Sequence, residues 1–157
     1  MTQKPTNEAH SSDWDLSTYI CFALYSSNLA MNRVYEPLLK ALKLTYPQYL
    51  ALTLLWQKDG QLVGEMGEQL FLKSNTLTPL LKRLEKGGYV NRVRDSSDER
   101  KVRIWLTDAG RDLKGQASCI PDEINKASGL QTDELSALIT NLSRLREALI
   151  QSVGSST

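Results

Sequence analysis

The sequence predicts a mainly α-helical fold with one small β-hairpin. Apolar residues recur at helical spacing through most of the 157-residue chain. One stretch, 89–106, instead alternates with a period of two around a polar turn. Gly87 and Gly88, the residue type that follows helix ends, separate the two regimes.

Each element has its own local reason. Residues 1–13 are polar and read as a flexible arm. From Trp14 to about Lys40 the residues Leu16, Ile20, Ala23, Leu24, Met31, Val34 and Leu38 form a helical stripe, which Pro37 is expected to kink or end. Thr45 is placed to cap the next helix, with Pro47 in its first turn and Gly60 as its stop. Its nearly unbroken apolar run from Leu50 to Trp56 marks it as central to the core. Two short helices follow, Val63 to Leu70 and Ser74 or Asn75 to Lys86, the second with Leu77, Leu80, Leu81 and Leu84 on one face. The hairpin then puts Val102, Ile104 and Leu106 on one side and Arg103 and Trp105 on the other. Thr107 caps a further helix with Asp108 in its first turn, and Pro121 interrupts it just after Cys119. A break at 127–131 precedes a last helix starting near Thr132. Its Leu135, Leu138, Leu142, Leu145 and Leu149 are spaced 3, 4, 3, 4, a seam for another helix.

Composition excludes several function classes. The only histidine, His10, lies in the polar arm, which argues against a histidine-based triad, dyad, metal site or general base. Cys21 and Cys119 form neither a CxxC pair nor a zinc knuckle. No cofactor and no enzyme activity is expected. No apolar run approaches the roughly 20 residues of a membrane span, and the start of the chain has no apolar signal segment, so the expected compartment is the cytoplasm.

The net charge is only +1, but residues 73–103 contain nine basic and four acidic side chains. A basic centre in a near-neutral protein points to a local site for an anionic partner. Helix, turn, helix and basic hairpin in that order make a winged helix-turn-helix. Ser74, Asn75, Thr76, Thr78, Lys82 and Arg83 share the second helix with its leucine face, placed to enter a major groove. Arg92, Arg94, Arg100 and Lys101, placed at the hairpin tip, suit a minor groove or flanking phosphates. The expected partner is double-stranded operator DNA. The long first helix and the last leucine seam suit a homodimer, hence a palindromic operator. The expected organisation is a helical dimerisation region of residues 14–44 and 107–152 around a DNA-binding region of residues 45–106.

The stretch DERKVRIWLTDAG, residues 98–110, closely resembles the wing pattern D-x-R-x-x-x-x-x-L-T-x-x-G of the MarR family of transcription regulators, with Asp98, Arg100, Leu106, Thr107 and Gly110 at its key positions. SNTLTPLLKRLEKGGYV resembles the family's recognition helix. Residues 20–56 and 66–85 further resemble the OhrR branch of organic-hydroperoxide sensors. That resemblance implies a reactive cysteine at Cys21, partner tyrosines at Tyr35 and Tyr46, and a resolving thiol at Cys119. It also makes Asp98 and Arg100 wing-structural residues.

The chemistry is coherent on its own terms. A sensing thiol attacks a peroxide as thiolate, and the sulfenic acid it forms can be trapped by a second thiol. Tyrosine hydroxyls favour the thiolate by donating to it without adding charge. Trp14, Phe22 and Leu24 offer apolar surface for an organic tail, and Tyr25 follows Cys21 by one turn. Cys21 and Tyr35 would lie roughly 21 Å apart on one straight helix, so contact needs a chain reversal or a second subunit. The resemblance implies the second, with Cys119 also acting between subunits. The expected function is a repressor that binds operator DNA when reduced and releases it on oxidation. Competing readings are a MarR-type repressor released by a non-covalent phenolic ligand, a thiol peroxidase, and a non-specific DNA-architectural protein.

Overall fold

The computed structural model describes residues 14–154. The arm predicted at 1–13, with His10, lies outside them. A short 3-10 turn, Leu16–Thr18, leads into α1 (Ile20–Ala41), then α2 (Tyr46–Gln57), β1 (Gln61–Leu62), α3 (Val63–Leu70), α4 (Ser74–Lys86), β2 (Val90–Arg94), β3 (Val102–Leu106), α5 (Asp108–Ala117), α6 (Ile120–Ser128) and α7 (Thr132–Gly154).

Four local expectations are corrected. Helix α1 continues through Pro37 to Ala41. Helix α2 ends at Gln57, where Lys58 turns extended, and Gly60 instead supplies a left-handed turn residue at φ 70°. Helix α6 continues to Ser128, so the break before α7 is only residues 129–131. The hairpin is part of a three-stranded antiparallel sheet in the order β1-β3-β2. Two residues, Gln61 and Leu62, pair with Ile104 and Arg103. A strand that short has no alternation to read in sequence.

The core lies between α2, α4 and the sheet. Leu52, Leu55, Met66, Leu77, Leu81, Leu84, Val90 and Ile104 are among its fully buried large side chains, and Leu39 of α1 and Ile120 of α6 extend it. Each stabilises by about 1.5–3 kcal/mol relative to exposure. The leucine face of α4 is buried against this core, which turns its polar face outward. Gln48 accepts from the Thr45 amide at 2.8 Å and closes the start of α2.

The segment between α4 and α5 is held by a compact set of bonds. Thr107 Oγ1 donates to the Gly88 carbonyl at 2.6 Å and accepts from the Gly110 amide at 3.0 Å. The Trp56 indole donates to the Gly110 carbonyl at 2.8 Å, tying α5 to α2. A Cβ at Gly110 would collide with the Tyr89 carbonyl. This close approach is the physical reason for the Leu-Thr-x-x-Gly pattern.

The surface is uneven. Ile20, Leu24, Tyr25, Leu29 and Met31 of α1 are exposed, as are Leu138, Leu142, Leu149, Ile150 and Val153 of α7. Helix α7 contains no buried residue. No helix among the described residues is long and apolar enough to cross a membrane.

Gly110→Ala tests the close approach. Helix propensity alone favours alanine by about 1 kcal/mol. The clash is with backbone, so the expected outcome is the opposite: a lower Tm and a loss of about 2 kcal/mol or more in urea unfolding.

Candidate nucleic-acid interface and thiol site

The first turn of α4 presents Ser74, Asn75 and Thr76 to solvent, with Thr78 half-buried and Lys82 and Arg83 exposed further along. A groove of about 410 Å³ runs between this helix and the wing. Ser74 and Thr78 of α4 line it with Arg92, Arg100 and Lys101 of the wing, and residues 62–65 and 68, among them the carboxylates Glu65 and Glu68, also border it. Five of the residues singled out in the sequence therefore meet in one concave surface.

The wing arginines differ in setting. The Arg100 side chain is 90% exposed and pairs with Asp98 at 3.1 Å. Lys101 lies 3.9 Å from the same carboxylate. Hydrogen bonds from Arg100 hold the Asp98 carboxyl below its ordinary range. Arg94 is exposed at the end of β2. Arg92 is not at the tip. It pairs with Ile104 in mid-strand, and its side chain is 23% exposed. Glu85 of α4 accepts from its main-chain amide at 3.2 Å and lies 3.8 Å from its guanidinium. Arg92 therefore joins β2 to the recognition helix as well as bordering the groove.

Asp95 was not singled out in the sequence and organises the wing turn. Its carboxylate is 5% exposed. It accepts from the Ser97 amide at 2.9 Å, the Ser97 hydroxyl, the Asp98 amide at 3.2 Å and the Arg103 guanidinium. Arg103 in turn donates to the Gly60 carbonyl at 2.9 Å. The Ser97 bonds, followed by Arg103, hold the Asp95 carboxyl far below its ordinary 3.8. Arg103, counted among the basic side chains of this region, is thereby committed to an internal partner. The signal was the Asp-Ser-Ser-Asp run, a turn in which a carboxylate accepts from the amide two residues on.

The tyrosines also assemble. Tyr35 of α1 and Tyr46 of α2 have ring centroids 4.6 Å apart. Tyr49, one turn after Tyr46, lies 6.0 Å from Tyr35 and 6.2 Å from Trp56. Burial, helped by Tyr46 and Tyr49, pushes the Tyr35 phenol up to about 12. It stays a hydrogen-bond donor at neutral pH. Burial chiefly raises Tyr49 as well, and the nearby Cys119 thiol adds to that rise. Tyr35, Tyr46 and Tyr49 thus gather on one side of a single chain, and Cys119, at the start of a helix packed on α1, is near enough to Tyr49 to act on its phenol. Tyr49 was missed, although the Tyr-Pro-Gln-Tyr spacing places it on the face of Tyr46.

Cys21 is not among them. It is exposed at the second residue of α1, and the unbroken helix to Ala41 puts it roughly 21 Å from Tyr35 along the axis. Cys119 is exposed at the start of α6. Tyr25, Leu24 and Ile20, which flank Cys21 on α1, are exposed. Among the described residues no cluster of His, Cys, Asp and Glu could hold a metal.

Comparison with known proteins gives consistent results. Residues 33–117 match the family model described as transcriptional regulator SarA/Rot. The chain is 49% identical over 140 residues to the HTH-type transcriptional regulator TtmR of Methylorubrum extorquens, covering 89% of this chain and 72% of that protein. It is 47% identical over 136 residues to the organic hydroperoxide resistance transcriptional regulator of Bacillus subtilis, covering 87% and 92%. Among solved structures it resembles AbfR of Staphylococcus epidermidis. Reduced AbfR bound to DNA matches with a TM-score of 0.70 and 38% identity over 86% of this chain and 94% of that one. The disulfide-formed AbfR matches with a TM-score of 0.59 and 37% identity over 88% and 92%.

Two outcomes test the wing. Arg94→Ala is expected to weaken binding to every duplex alike and to lower the slope of log K against log salt by about 1 per lost phosphate contact. Titrating duplexes at several salt concentrations measures both. Asp95 has a depressed folded pKa, so its stabilisation is complete at neutral pH. It is lost as pH falls below 3.8 toward the folded value. The Tm gap between wild type and Asp95→Asn is therefore expected to be widest at neutral pH and to narrow on acidification.

Proposed function

Since the chain belongs to the MarR/SarA family of winged-helix transcriptional regulators, we propose that it is a homodimeric repressor released from operator DNA by oxidation of Cys21. The observation that carries this reading is the gathering of Tyr35, Tyr46, Tyr49 and Cys119 on one chain, away from that chain's own Cys21. A second copy docked on the exposed apolar residues of α1 and α7 would bury them and bring its Cys21 to this cluster. The dimerisation region is then residues 14–44 and 107–152, the DNA-binding region residues 45–106, and the compartment the cytoplasm.

The proposed chemistry balances simply. The Cys21 thiolate attacks one peroxide oxygen of an organic hydroperoxide, ROOH. The O–O bond breaks, ROH leaves after protonation, and Cys21 becomes a sulfenic acid. The thiol of Cys119 of the partner subunit then attacks that sulfur, water leaves, and a disulfide joins the subunits. The tyrosine hydroxyls donate to the thiolate and to the departing oxygen. Exposed Leu24 and the apolar start of α1 suit a hydrocarbon tail rather than hydrogen peroxide. The AbfR structures in reduced and disulfide forms support a thiol switch on this fold. The Bacillus subtilis relative's role in organic hydroperoxide resistance supports the inducer class. On DNA, the first turn of α4 would read base edges, while Arg92, Arg94, Arg100 and Lys101 engage phosphates or the minor groove.

A second reading has its own observation. A surface groove of about 690 Å³ is lined by Tyr35 and Tyr46, by Lys40 and Lys43, and by one carboxylate, Glu36, with Asn32, Leu39, Leu44 and Thr45 completing it. Its two tyrosines, and two lysines against the one carboxylate, suit a small phenolic anion that would release DNA without covalent change.

Duplex binding by wild type and Cys21→Ser, before and after stoichiometric organic hydroperoxide, separates the two. The expected result is at least a tenfold loss in the wild type, about 1.4 kcal/mol, with Cys21→Ser unchanged. Non-reducing mass analysis is expected to show a Cys21–Cys119 intersubunit link. Loss of binding in both proteins would move sensing away from Cys21.

A further inference from the structure

Phe71 is in the wrong place for an ordinary phenylalanine. It closes α3 with a left-handed backbone at φ 55°, a conformation that favours glycine or asparagine. Its side chain is 61% exposed and outside the core. Neither the turn nor the interior therefore accounts for an aromatic ring there. The ring does have one close partner: the Arg146 guanidinium of α7 lies 4.8 Å from its centroid. A cation over an aromatic face at that distance is attractive.

The location gives the contact its meaning. Phe71 is three residues before Ser74, where the recognition helix begins. The adjoining Leu72 amide is fixed to the Gly67 carbonyl at 2.9 Å, so the turn is stiff. Arg146 also borders the apolar groove formed by Leu24 with Leu142, Leu145, Leu149, Ile150 and Val153. One end of the contact is thus on the surface left for a second copy, and the other is on the turn that aims α4.

We infer that Arg146 and Phe71 are positioning residues for DNA binding, coupling the setting of the C-terminal helix to that of the recognition helix. A shift of α7 pulls on a rigid turn rather than on a flexible loop, so α4 follows. The inference rests on the DNA-binding reading above and not on the chemistry of Cys21.

Phe71→Asn separates coupling from structure. Asparagine suits the left-handed backbone, so Tm is expected to hold or rise while the ring is lost. The probe is the duplex that the reduced wild-type dimer selects from a random-sequence pool. Phe71→Asn and Arg146→Gln are each expected to bind it about threefold more weakly. The double variant is expected to bind no more weakly than the weaker single variant, because the two residues act as one unit. Phe71→Trp, which keeps the aromatic face, is expected to match wild type. Light scattering checks the dimer, and Arg146→Met, which keeps the apolar stem and removes the cation, replaces Arg146→Gln if the latter dissociates.

Binding by Phe71→Asn equal to wild type overturns the inference. So does a double variant weakened by the product of the two single effects, about ninefold. A wild-type protein that selects no duplex overturns the DNA-binding reading and this inference with it.

Discussion

Strand β3 is fixed at both ends by a carboxylate, and the position of the wing depends on that. At one end Asp59 accepts from the Leu106 amide at 2.8 Å and the Gly60 amide at 2.9 Å, and pairs with Arg111 of α5 at 3.0 Å. At the other, Asp95 takes Arg103, which reaches back to the Gly60 carbonyl. Both clamps converge on the turn after α2. Trp105 packs over Gly60 so closely that a side chain there would meet the indole ring. A thin hairpin would otherwise be a poor platform, since a two-stranded ribbon is marginal in water. Clamped in this way, it presents Arg94, Arg100 and Lys101 from a defined position.

The recognition helix is fixed by a different force. Its leucine face supplies the anchoring and its polar face is left for a partner, so one amphipathic pattern sets both stability and exposure. Glu85 and Arg92 then link this helix to the wing. The helix and wing form one surface, and a change in the setting of either is felt at the groove between them.

The first and last helices obey the opposite logic. Their apolar residues remain open in a single chain, and Cys21, an exposed thiol, is at the start of α1. The tyrosines that would serve it are on the far part of the same helix and on α2. Docking a second copy would solve both problems together, by burying the apolar surface and completing the redox site. A site completed across such an interface would have a direct route to DNA, because chemistry there would act on the relative setting of two copies of α4.

Much of this was legible in the sequence because it is local. Helical spacing, the Thr107 cap, the Gly87-Gly88 end of α4 and the alternation of Val102, Ile104 and Leu106 are short-range consequences of backbone geometry, and they reappear in the structure. The basic hairpin and the polar first turn of α4 were readable for the same reason. What only the tertiary structure decided is pairing between distant residues. Strand β1 is too short to have a period and exists because β3 offers it an edge. Arg103 reads as another surface cation until Asp95 neutralises it. Arg92 reads as a tip residue until the register sets it opposite Ile104. Tyr49 joins Tyr35 only when α2 folds back on α1, and Phe71 meets Arg146 across 75 positions of sequence. Periodicity reports which face of an element is apolar; it holds no information on which distant side chain will stand against that face.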